Sequence, residues 1–141
     1  MSMDDIRALL TETRTWAVVG CSPDPARDSH RVAATLKREG FQVIPVNPNA
    51  GPELLGERCY ASLRDIPERV DVVDIFRRSG HAGVHVDEAI AIGAIGVWLQ
   101  LGVIDEAAAA RARAAGLRVV MDDCPAIQLP RFKPPSPGVG A

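Results

Sequence analysis

Apolar and polar positions along this chain switch between two periods. Residues 16–19, 41–46, 70–76, 95–99 and 117–121 are compact apolar runs halted by Gly, Pro or turn residues, and they read as five strands. Between them the spacing becomes helical. Ser29 is placed to cap a helix with Val32, Ala33 and Leu36 on its inner face, and Gly40 ends it. Val86, Ala89 and Ile90, running to Gly93, give a second helix. Asp105 caps an alanine-rich third that continues through Ala115 and stops at Gly116. Ahead of the first strand, Ser2-Met3-Asp4-Asp5 has the form of a capping box, followed by an apolar stripe of Ile6, Leu9 and Leu10. The pattern is weakest over residues 54–66, where an extended piece around Arg58-Cys59-Tyr60 and one helical turn from Ser62 are expected.

Strands this apolar leave no wet face, so they belong in a parallel sheet covered on both sides and joined by right-handed crossovers. The fold class is therefore α/β: a doubly wound, mainly parallel, five-stranded Rossmann-like sheet with helices on both faces. A chain of 141 residues suits one such domain, assigned to residues 1–124. Residues 125–141 hold Pro130, Pro134, Pro135, Pro137 and two glycines, and are expected to form a mobile tail without regular structure.

Charge narrows the function. With 16 basic and 18 acidic residues the formal net charge is -2, so no global positive field gathers nucleic acid or anionic lipid. Any anion site has to be local. No apolar run approaches the roughly 20 residues of a membrane helix. Asp4 and Asp5 sit where a secretory signal would be basic, so a soluble cytoplasmic protein is expected. Cys21, Cys59 and Cys124 form no C-x-x-C pair and are read as reduced thiols.

In an open parallel sheet, ligands bind beyond the carboxyl ends of the strands. Four loops lie there. The first runs from Gly20 through Cys21, Ser22 and Arg27 to Ser29, joining strand one to a helix whose free amides suit a phosphate, with Arg27 adding charge. It lacks the G-x-G-x-x-G of dinucleotide sites, which argues against ordinary NAD binding. The second, Asn47-Pro48, stands where an NAD enzyme carries an acid. It reads equally as turn chemistry and as a neutral contact for an adenosine bearing a 3'-phosphate. The third, Phe76-Arg77-Arg78-Ser79, offers a ring for stacking and two guanidinium groups for phosphate, or else solvated arginines. The fourth, Gln100-Leu101-Gly102, supplies a side-chain amide and a glycine. His81 and His85 stand four apart on a helix but lack further metal partners and are read as a surface pair. A lowered pKa at Cys21 is a minor expectation for its helix-proximal loop. No catalytic residue is assigned.

Residues 17–23, 43–48, 72–78 and 97–102 together resemble the small stand-alone CoA-binding domain proteins, over about residues 5–124. They are also similar to the first domain of the succinyl-CoA synthetase alpha subunit. The resemblance implies that the Gly20 to Ser29 loop holds the pyrophosphate of coenzyme A or an acyl-CoA and that Val46-Asn47-Pro48 lies on the adenosine side. Phe76-Arg77 and Gln100 to Gly102 would then border the pantetheine path. The synthetase's histidine-bearing second domain has no counterpart in this sequence, so ligase activity is not implied. Asp122-Asp123-Cys124 departs from the family, whose members often carry a basic residue between Asp and Cys. Three readings follow: non-catalytic binding of CoA or acyl-CoA, an NADP-dependent oxidoreductase with Arg77 and Arg78 on the 2'-phosphate, or an accessory subunit of an acyl-CoA ligase. A protein partner or a second copy of the chain is left open.

Overall fold

The structure, a computed structural model, describes residues 3–132. In chain order the elements are α1 (Met3–Thr11), β1 (Thr15–Val19), α2 (Asp28–Arg38), β2 (Gln42–Val46), β3 (Glu53–Leu54), β4 (Glu57–Arg58) and a 3-10 turn at Leu63–Asp65. There follow β5 (Val72–Ile75), α3 (Ser79–Ala91), β6 (Gly96–Leu99), α4 (Glu106–Ala114), β7 (Arg118–Val120) and α5 (Pro125–Phe132).

The main sheet is parallel throughout and five-stranded, in the order β2-β1-β5-β6-β7. Alternate residues on each strand enter opposite layers. Trp16, Val18, Val72, Trp98 and Val120 meet α1, α2 and α5, whereas Ala17, Val19, Val73, Val97 and Val119 meet α3 and α4. Both faces are covered, which is why the strands carry no polar alternation. Trp16 and Trp98 are fully buried with ring centroids 5.7 Å apart. Each indole N–H keeps a partner, Trp16 donating to Thr13 Oγ1 at 2.9 Å and Trp98 to the Asp123 carbonyl at 2.9 Å. Gly96 lets α1 lie directly on β6: a Cβ there would fall 2.7 Å from Leu9 Cδ2 and 2.9 Å from the Arg118 carbonyl oxygen.

Asp105 caps α4 as expected, accepting from the Ala108 amide at 3.0 Å, and Ser62 opens the 3-10 turn. Ser29 does not cap α2. The helix begins two residues earlier than that cap would place it, with Arg27 at the cap and no side-chain bond to its first amides. The Ser29 hydroxyl instead accepts from the Ser22 amide at 3.0 Å, tying the loop to the helix. Ser2 lies outside the described residues.

The expectation that no regular structure follows Cys124 is overturned for Pro125–Phe132, which form α5. Pro125 occupies the first helical position, where an amide has no intrahelical partner in any case. Pro125 and Leu129 are buried, and α5 packs on α1 and α2, so tertiary contact outweighs the single bond lost at Pro130. The remainder of the expected tail, residues 133–141, lies outside the described residues.

Sequence reading did not anticipate the β3–β4 hairpin. Its turn holds Leu55 at φ 56 and Gly56 at φ 73, and Lys37 on α2 pins it by donating to the Leu55 carbonyl at 2.7 Å and pairing with Glu57 at 3.0 Å. The chain then returns along β2. Tyr60 donates its amide to the Pro45 carbonyl at 3.1 Å and accepts from the Asn47 amide at 2.9 Å, on the side of β2 away from β1.

Counted along the chain, the main-sheet strands lie 2-1-3-4-5, one of the two common doubly wound orders. Chain direction across the sheet reverses between β1 and β5. The helix after β1 goes to one face and the helix after β5 to the other, which opens a crevice between their loops.

Candidate functional site

The crevice is built by backbone first. Gly20 leaves β1 with φ +83, and a Cβ added to it would stand 2.7 Å from the Phe76 carbonyl oxygen. Only glycine brings the β1 and β5 loops this close. Past it the loop is held by its own side chains: Ser22 Oγ accepts from the Asp24 amide at 3.0 Å, Asp24 Oδ1 from the Ala26 amide at 2.9 Å, and His30 Nδ1 donates to the Ser22 carbonyl at 2.9 Å. With Ser22 N taken by Ser29 Oγ, the amides left facing outward are those of the uncapped first turn of α2. Their partial positive charge is what an anion would meet.

Three cavities meet along Phe76 and Arg77. The central one, about 580 Å³, is lined by Gly20, Ser22, Arg27, Ser29, Phe76 and Arg77. On the β6 side lies a largely apolar cavity of about 460 Å³, with Val32, Phe76, Gln100, Leu101, Cys124 and Ile127 in its walls. On the β2 side a third, about 510 Å³, is lined by Pro48, Ala61, Phe76, Arg77, Arg78, His81 and His85. A smaller recess of about 150 Å³ continues inward past Val46, Ser62 and Glu88. Among the described residues no carboxylate pairs with Arg27, Arg77 or Arg78. Asp28 reaches the central cavity, but its carboxylate is paired with Arg31.

The loops also brace one another. Ser79 Oγ accepts from the Ile104 amide at 2.9 Å and donates to the Gly102 carbonyl at 3.3 Å, joining the β5 and β6 loops. Asp122, at φ 58, accepts from the Gly102 amide at 2.7 Å, and Asp123 accepts from the Cys124 amide at 2.7 Å. The acidic pair that departs from the family pattern therefore fixes the β6 loop and the start of α5.

Of the residues singled out from sequence, Gly20, Ser22, Arg27, Ser29, Phe76 and Arg77 converge on the central cavity, and Gln100 and Gly102 on the apolar one. Pro48 lines the third and Val46 its recess. Asn47 lines none of them. Its amide donates to the Cys21 carbonyl at 2.9 Å and accepts from the Asn49 amide at 2.9 Å, so it joins the β1 and β2 loops and does the turn's own work. Cys21 lines none either. It is fully buried, and burial, with smaller contributions from Cys59 and Asp74, pushes its thiol up to about 12. The expected lowering is thus reversed, because the loop turns this side chain into the core rather than toward the helix terminus.

Several residues escaped sequence reading. Cys124 and Ile127 reach the apolar cavity because α5 is a helix. His81, exposed, and His85, half-buried, read as a surface pair in the sequence; both also line the third cavity, and His85 Nδ1 donates to Glu88 Oε1 at 2.8 Å. Asp74, hidden in the third apolar run, is fully buried beside Cys21 with neither carboxylate oxygen hydrogen-bonded among the described residues. Burial holds its carboxyl well above the ordinary range. Among the described residues no three His, Cys, Asp or Glu side chains gather as metal ligands, and no helix is long and apolar enough to cross a membrane.

The Bacillus subtilis protein YneT is 35% identical over 123 residues, which cover 87% of this chain and 90% of that one. A solved structure of a hypothetical protein from Pyrococcus horikoshii superposes with a TM-score of 0.88 at 38% identity, covering 94% of this chain and 92% of the other. Part of an ADP-forming acetate–CoA ligase from Archaeoglobus fulgidus is 36% identical over 76 residues, spanning 52% of this chain but only 11% of the ligase. The model of the CoA binding domain matches residues 14–130, and the chain belongs to that family.

Proposed function

We propose that the protein binds coenzyme A or an acyl-CoA in the crevice at the carboxyl end of its sheet and performs no chemistry on it. One observation carries the reading: three cavities of unlike character meet at Phe76 and Arg77. Coenzyme A is a molecule of three unlike parts joined in line. The open amides of α2, with Arg27 and Arg77, suit the doubly charged pyrophosphate. The apolar cavity suits the pantetheine arm. Gln100 stands in its wall, 5% exposed, with Oε1 lacking a partner among the described residues. A pantetheine amide N–H is the donor that oxygen lacks, and a small rotation of the side chain would present it. The resident groups therefore fit the ligand.

Binding without catalysis is favoured by the state of the cysteine nearest the phosphate loop, which is buried and held protonated. Within a cell the site would retain or sense a cytoplasmic CoA species.

Isothermal calorimetry on ligand-stripped protein with CoA, dephospho-CoA, NADPH and ATP tests the proposal. CoA should bind most tightly. Tighter binding of NADPH than of CoA would replace this reading with the NADP-dependent one, and absence of heat with every ligand would remove it.

A further inference from the structure

The cavity on the β6 side changes character from one end to the other. The residues it shares with its neighbours are Asp28, Phe76, Arg77 and Arg78, so its charged end lies at the junction. Most of the wall that belongs to it alone is apolar: Val32, Leu101, Val103, Cys124 and Ile127. The polar side chains of that wall are Gln100, whose buried Oε1 has no partner among the described residues, and Arg31, whose guanidinium is already paired with Asp28. Val32, Val103 and Cys124 are buried, whereas Leu101 is 57% and Ile127 61% exposed. A single exposed apolar side chain is ordinary on a protein surface. These two come from separate elements, the β6 loop and α5, and meet on one cavity. Because α5 buries Pro125 and Leu129, one turn apart, Ile127 between them is turned from the core. An exposed apolar lip that continues a buried apolar wall is surface that the hydrocarbon part of a ligand would cover.

Resting on the proposed CoA reading, we infer that the ligand is an acyl-CoA with an aliphatic acyl chain, which lies along Leu101 and Ile127 beyond the pantetheine arm. The amides of the arm meet the polar part of the wall at Gln100. The chain that follows carries no hydrogen-bonding group and needs none from Val32, Leu101, Val103 or Ile127. Free CoA would leave Leu101 and Ile127 in water, so acylated and free CoA are told apart by burial of hydrocarbon. A chain ending in a carboxylate is disfavoured, because its charge would lose water against an apolar wall whose one cation of its own, Arg31, is engaged.

The test is calorimetry with CoA, hexanoyl-CoA and succinyl-CoA on the wild-type chain and on an L101N/I127N variant. A fully buried methylene is worth about fourfold in affinity and one covered on a single side about twofold, so the wild type should bind hexanoyl-CoA about tenfold or more tighter than CoA. Succinyl-CoA should show no such gain. Both substituted positions are exposed, and any effect on the CoA moiety common to the ligands cancels in the ratio of hexanoyl-CoA to CoA affinity. The variant should lose most of that ratio. Equal wild-type affinity for CoA and hexanoyl-CoA, an equal gain with succinyl-CoA, or a full gain retained in the variant overturns the inference and leaves CoA binding standing. Failure of all three ligands to bind the wild type removes the CoA reading and this inference with it.

Discussion

Asparagine at position 74 replaces one carboxyl oxygen by an amide of nearly the same shape and takes away a proton equilibrium. Asp74 is 0% exposed, it lies in β5 between Val18 and Trp98, and neither of its oxygens is hydrogen-bonded among the described residues. Desolvation therefore raises its pKa well above 3.8. Above pH 3.8 the unfolded chain releases this proton while the folded chain retains it, up to the raised pKa. Folding then takes up a proton, so stability falls as pH rises, by about 1.4 kcal/mol per pH unit across that window. Below the window both states are protonated and the penalty vanishes. Asp74→Asn has no such slope. Urea unfolding of both proteins at about pH 5 and about pH 6 should show the variant gaining on the wild type as pH rises, with about 1.4 kcal/mol per pH unit as the upper limit. All other groups titrate alike in both chains and cancel. Parallel pH profiles would refute the reasoning, since they would mean that the carboxylate ionises in place with partners of its own.

Gly20→Ala should destabilise the fold by at least about 1–2 kcal/mol from the positive φ alone, and should weaken CoA binding by separating the β1 and β5 loops; urea denaturation and calorimetry read the two effects. Arg27→Ala, exposed and unpaired among the described residues, should cost about 1–3 kcal/mol of CoA affinity with no change in unfolding midpoint, and an unaltered affinity would show that Arg27 does not reach the phosphates. Cys21, with its thiol pushed up to about 12, should resist iodoacetamide at neutral and mildly alkaline pH until urea unfolds the chain; peptide mapping that finds Cys21 alkylated in the native protein would contradict its burial.

The strands, the order of helix and strand, the C-terminal end of α2 and both ends of α4 were legible because each depends on local signals: apolar runs, Asp105, Gly40 and Gly116. The four loops were legible from one topological rule, since parallel strands place their exits at one edge. What escaped depends on contact between distant residues. Prolines 125 and 130 signal a break, and only the packing of Leu129 against α1 and α2 makes that segment a helix. A two-residue turn with Leu55 in the left-handed region runs against that residue's preference, so the β3–β4 hairpin left no trace. Ser29 looks like a cap because cap and second helical position differ by two residues and carry the same residue types. The burial of Cys21 and Asp74 is likewise invisible in a sequence, because a side chain's solvent follows from the layers placed over it.

The return of the chain along β2 bears on how the protein behaves in crowded solution. A parallel sheet normally ends in a row of unused donors and acceptors that another molecule's strand can join, the route to edge-to-edge aggregation. Here the segment through Tyr60 occupies the carboxyl half of that border, and Pro45 presents a position with no donor at all. At the opposite border β7 is only three residues long, and its Arg118 is engaged by Asp5 of α1. A half-covered border and a very short one offer a foreign strand little to pair with. Strand addition between copies of this chain is thereby disfavoured at either border, even in crowded solution.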